Sequence, residues 1–223
     1  MPKELKTNVL RKVSAFCLIT LLAAVVGVGC AHQEPTPTPT PVESHVPGNQ
    51  VSELPSGPDE KDGHINLEGS DEPFRFHRLH STELGMVTYI PHDLVSEPVT
   101  AEDGDRVMIW AAFGGEKLEN TYLSLHLFSP GTSGEEVNME RRNQLEAAGF
   151  TSQVMDDDER YPWAHAAYTY QGTEDGIDYT GIIVLGNHGE RALLLEIRAT
   201  TENIEGFYPR VQAVLEAMEW YGF

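Results

Sequence analysis

Residues 35–41 read PTPTPTP, with Pro35, Pro37, Pro39 and Pro41 alternating with three threonines. Each proline fixes its φ at about −65° and removes a backbone donor, so neither a helix nor a central strand can pass through the run. No regular element can therefore join the residues before it to those after it. We expect an extended or disordered tether over residues 30–72, holding a folded body tens of ångströms from its attachment point at ~3.1 Å per residue in the polyproline-like part. His32, His45 and His64 fall in this stretch. Widely spaced histidines in such a segment make no preformed metal site, and we expect them to be solvated.

The residues before the tether have the order of an export address. Lys3, Lys6, Arg11 and Lys12 form a basic segment, and residues 13–29 continue as an apolar run interrupted only by Ser14 and Thr20. A basic region, an apolar region and small residues before a processing site are the parts of a signal peptide. The run of 17 residues also lies at the lower end of what spans a bilayer, so a retained anchor is the alternative. The two cysteines, Cys17 and Cys30, both lie in or at the edge of this run, and the chain is cysteine-free from Ala31 onward. A disulfide framework, a cysteine zinc site and a thiol nucleophile are thereby excluded from the body. The stretch Gly27-Val28-Gly29-Cys30 resembles the lipobox of bacterial lipoproteins, with Gly27 where that pattern prefers a larger aliphatic residue. The resemblance implies cleavage after Gly29, removal of residues 1–29 as a signal peptide, and fatty acyl chains such as palmitate on Cys30. Two or more such chains anchor stably, at roughly 0.8 kcal/mol per buried CH₂. The expected location is the extracytoplasmic side of a cell membrane, with that membrane as the first partner.

Charge narrows the remaining partners. The chain carries a formal −20, and beyond Cys30 it holds 11 basic against 34 acidic residues. Such a body is repelled by phosphate backbones, so no nucleic-acid partner is expected; an envelope protein is the partner to look for.

From Pro73 the pattern turns to strands. LGMVTYI (84–90), DRVMIWAAF (105–113) and TYLSLHLFS (121–129) are β-branched, aromatic or alternating. In the third, Leu123, Leu125 and Leu127 share one side while Ser124 and His126 share the other. A helix is expected over 134–148, with Ser133 and Glu136 as a capping box, Gly149 as its stop, and Val137, Leu145 and Ala148 as its apolar stripe. Three more strands, 163–171, 177–185 and 191–199, are joined by GTEDG and GNHG, which predicts tight hairpins. A last helix carries Phe207, Val211, Val214, Leu215 and Met218, with Pro209 in its first turn and a regular part starting near Tyr208. The expected fold over 73–223 is α+β, an antiparallel sheet of about six strands covered by two main helices. This order, with YIPHDL after an early strand and AMEW at the end, resembles the Mog1/PsbP-like sandwich, including bacterial lipoproteins built on it. The resemblance implies binding or assembly without a shared catalytic motif, and no functional residue is carried over by it.

Metal-ligating candidates are few. His77 and His80, with Glu83 three residues on, would share a face only in a helix; in a strand they point to opposite faces. Asp156, Asp157, Asp158 and Glu159 concentrate carboxylates in one loop but lack the alternation and the glycine of a calcium loop. Trp110, Phe113, Phe128, Trp163, Tyr168 and Tyr170 are expected to be core aromatics, an open groove being the alternative. No G-x-S-x-G and no phosphate loop is present. The leading expectation is a non-catalytic module without a cofactor or catalytic residue, its binding residues unassigned. The alternative is a surface metal-dependent hydrolase using His77, His80 and the 156–159 loop, which stoichiometric metal in the purified protein would reveal.

Overall fold

The PTPTPTP run lies outside the residues that the structure describes. The computed structural model describes residues 50–51, 53–155 and 161–222. The signal peptide, Gly29, Cys30 and the candidates Asp156, Asp157 and Asp158 therefore fall outside the described residues.

Strand β1 (Gln50–Val51) is followed by a hairpin of β2 (Glu60–Leu67) and β3 (Ser70–Ser81), where the sequence predicts a tether running to residue 72. Its turn uses positive φ at Glu68 (52°) and Gly69 (86°), the backbone that two-residue hairpins require. The boundary moves because β2 is an edge strand that buries only Ile65, so its sequence shows little alternation. Its pairing to β3, not its own pattern, makes it a strand.

Strands β4 (Met86–Pro91), β5 (Leu94–Ala101), β6 (Gly104–Ala111) and β7 (Tyr122–Phe128) come next. The sequence pattern does not predict β5, since Pro98 argues against a central strand; it is an edge strand, where the missing donor costs no ladder bond. Helix α1 (Gly134–Ala147) starts where its capping pattern predicts, with Ser133 Oγ accepting the Glu136 N–H at 3.4 Å, and Gly149 (φ 82°) comes just after its end. Strand β8 (Thr151–Val154) has all four residues exposed and forms the opposite edge. The expected meander is present as β9 (Ala166–Glu174), β10 (Ile177–His188) and β11 (Arg191–Thr200). Asp175 and Gly176, both at positive φ, make its first turn.

Helix α2 (Ile204–Glu216) begins four residues before Tyr208, which places Pro209 inside it. Continuation brings Phe207 onto the same face as Val211 and Val214, and all three are fully buried. That burial, at about 1.5–3 kcal/mol per side chain, offsets the hydrogen bond a mid-helix proline forfeits. Arg210 Nη1 adds a donor in this turn by bonding the Gly206 carbonyl at 2.5 Å. Strand β12 (Glu219–Tyr221) closes the described chain.

Among the described residues the fold is α+β with two α-helices, as expected, but its strands form two sheets instead of one. The larger has the order β5-β6-β7-β11-β10-β9-β8, antiparallel throughout. In the smaller, β12, β4, β3 and β2 are antiparallel and β1 joins β12 in parallel. The main core lies between the sheets and α2: Leu123, Leu125 and Leu127 of β7 meet Met86, Ile90, Phe207, Val214 and Trp220. Thr88 Oγ1 of β4 donates to the Val214 carbonyl at 2.6 Å and pins α2 there. A second cluster lies under α1 on the other face of the larger sheet, where Val137 and Leu145 join Tyr168, Tyr170, Leu185 and Leu194. Ala148 stays exposed. Trp110, Trp163, Tyr168 and Tyr170 are buried and Phe113 half-buried, as expected of core aromatics, whereas Phe128, also buried, lines a cavity on the outer face of the larger sheet. Among the described residues, no helix is long and apolar enough to cross a membrane.

Candidate binding site

Seven strands about 4.8 Å apart make a face roughly 30 Å wide, and one helix is about 10–12 Å across. α1 packs against β8, β10 and β11, which leaves the outer face of β6 and β7 beside it. A cavity of ≈ 240 Å³ lies there, floored by β6, β7 and β11 and walled by α1.

Register sets what the floor displays. Arg106, His126 and Leu194 form one row across the three strands, and Met108, Ser124 and Glu196 form the next. These residues alternate with Leu123, Leu125, Leu127, Leu195 and Ile197, which face the main core. The period of two thus delivers a polar row to one side of a sheet whose other side is apolar.

Glu196 is 6% exposed, and its charge is met from two directions. Arg141 of α1 donates to Oε1 through Nη2, and the Tyr170 hydroxyl donates to the same oxygen at 2.9 Å. Tyr170 reaches it from β9 by lying across β10 at Gly181, where a Cβ would stand 2.4 Å from the ring and 2.4 Å from the Ile197 carbonyl. Burial, then the nearby Glu196 charge, pushes the Tyr122 hydroxyl up to about 12 and Tyr170 well above its ordinary range.

On the far side of the floor, Arg106 Nη2 donates to His126 Nδ1 at 2.9 Å. A guanidinium only donates, so Nδ1 accepts and the ring proton sits on Nε2, which faces Asp103 Oδ1 at 3.2 Å. Burial first, then the Arg106 charge, lowers His126 to about 4, against the opposing pull of Asp103 and Asp105. The unfolded chain, with an ordinary histidine near ~6.5, takes up this proton first. The stability associated with neutral His126 is complete above pH ~6.5, falls as the pH drops toward 4, and levels off below that. The expected loss is about 2–3 kcal/mol, read from urea unfolding at a series of pH values. His126→Gln, which cannot titrate, should flatten this interval; equal slopes in both proteins would refute the assignment.

The residues singled out from sequence lie elsewhere. His77 and His80 sit on β3 and point to opposite faces, as strand geometry demands. The His77 ring is 5.3 Å from that of His92, near Glu60, while His80 Nε2 is 2.5 Å from the Tyr221 hydroxyl. Burial, then His92, lowers His77 against the pull of Glu60. Glu83 accepts from Ser81 Oγ at 3.3 Å. Among the described residues, no group of three or more His, Cys, Asp or Glu is arranged to hold a metal ion. Sequence reasoning does not single out Arg106, Tyr122, Arg141 or Glu196 as site residues. One usable signal is the charged Glu196 inside ALLLEI, another the polar alternation of Ser124 and His126.

No family model and no curated protein matches the sequence. Among solved structures, the chain is similar to PsbP (CyanoP) from the cyanobacterium Synechocystis, with a TM-score of 0.39 and 10% identity, over 66% of this chain and 92% of that one. A protein of Bacteroides thetaiotaomicron gives a TM-score of 0.39 and 10% identity, over 64% of this chain and 47% of that one. LpqN of Mycobacterium tuberculosis, described as involved in cell envelope biogenesis, gives 0.33 and 13%, over 65% and 89%.

Proposed function

We propose that the chain is an exported lipoprotein, held at the extracytoplasmic face of a cell membrane by acyl chains on Cys30, whose acidic body binds or assembles and does not catalyse. The observation that carries the binding role is the cavity beside α1, where the polar rows of β6, β7 and β11 meet an apolar side, and the charge states of its groups agree with it. At neutral pH His126 is neutral, Tyr122 and Tyr170 keep their protons and Arg141 stays charged. A general acid or base exchanges its proton near the working pH, whereas fixed donors suit recognition. The basic segment, the apolar run and Cys30 before the proline tether support export and anchoring.

Labelling cells with a fatty acid tests the anchor. Label is expected on the native chain and absent from Cys30→Ser, which should also leave the membrane fraction. Equal label in both would overturn lipidation at Cys30.

A further inference from the structure

The two guanidiniums that line the cavity beside α1 are held differently. Arg141 is paired with Glu196, but Arg106 has its hydrogen bond to the neutral His126 ring, and among the described residues no carboxylate lies within ion-pair reach of it. Two buried polar atoms of the cavity's lining, Nε of Arg106 and Nε of Arg141, make no hydrogen bond, and a third, Nε2 of His126, has only the exposed Asp103 carboxylate facing it at 3.2 Å. All three are N–H donors, and no acceptor of the lining is left in that position among the described residues. Orphaned donors around an unpaired guanidinium select an acceptor that carries negative charge.

The walls narrow its class. Met108, Phe128, Val137 and Leu194 give the cavity an apolar side, and ≈ 240 Å³ is below the ~300–1,000 Å³ of drug-sized sites. Asp103 and Glu140 also line it, so a dianion would meet more repulsion than a monoanion. A planar carboxylate matches the flat guanidinium fork. Asp103, which faces His126 Nε2, is 57% exposed and can turn to solvent when another oxygen takes its place.

We propose that this cavity binds a small organic carboxylate, its oxygens held by Arg106 and the Nε2–H of His126 and its hydrocarbon part laid against Met108, Phe128 and Val137. This rests on the reading of the body as a binding module and names its ligand class. The test is thermal unfolding of the full chain, purified in detergent, with benzoate or butyrate against their neutral isosteres benzamide and butyramide, and with inorganic phosphate, all at one ionic strength and pH. A saturable rise of about 5 °C is expected from a carboxylate near a hundred times its Kd, with none from the amides or phosphate. Arg106→Gln should abolish the rise. Equal shifts from acid and amide, a shift from phosphate alone, or no saturable shift from either carboxylate would overturn the proposal. The acid–amide comparison uses the native chain, so its result does not depend on how Arg106→Gln folds. Failure here leaves the labelling of Cys30 untouched, so the two readings fail separately.

Discussion

Trp220→Ala is expected to lower the unfolding free energy by about 4 kcal/mol, within the range for deleting a fully buried tryptophan side chain and leaving its cavity. Trp220 belongs to a strand of only three residues, yet it is 0% exposed. It pairs in register with Met86 of β4 and with Gln50 of β1, and its ring centroid lies 4.2 Å from that of His188 on β10. One side chain thus packs the smaller sheet against the larger. Domains of this size hold about 5–15 kcal/mol in all, so the variant should retain little reserve. Urea unfolding followed by near-ultraviolet circular dichroism measures it. A loss below about 1 kcal/mol would mean that the two sheets are held together by other contacts.

Arg141→Met is expected to cost about 3 kcal/mol by a different route. It leaves the buried Glu196 carboxylate with the Tyr170 hydroxyl as its remaining hydrogen bond in the network described. Removing one partner of a buried pair strands a charge, and that desolvation, not the lost attraction, dominates the cost. Arg141 also fastens α1 to the sheet beside the cavity, so the helix should loosen as well. The double variant Arg141→Met with Glu196→Leu removes both charges and should recover much of the loss. If the double variant is less stable than Arg141→Met by the full cost of Glu196→Leu alone, the two groups are uncoupled and the network is misassigned.

Legibility followed the range of the forces involved. Helix α1 could be read to within a residue because its cap, first-turn acids and stop glycine are all local. The meander could be read because Asp175-Gly176 is a turn on its own merits. β2, β5 and β8 could not, since edge strands bury few residues and carry weak alternation. Pro209 misled because its local preference for a first turn is outweighed by the burial of Phe207, a tertiary effect. Ser124 and His126 fall on the side of β7 that the alternation predicts, but nothing near them in sequence says that α1 walls that side.

By itself, then, the sequence determined the proline break, the cysteine-free acidic body, the helix α1 and the α+β class, because composition, backbone chemistry and short-range periodicity decide those. Only the tertiary structure decided that the strands divide into two sheets and that His77 and His80 part. It alone brought Arg106, His126, Arg141 and Glu196 to one cavity. Those outcomes depend on register and on pairings between residues as far apart as Arg141 and Glu196. A period of two says which side a side chain takes, and only packing says what it meets there.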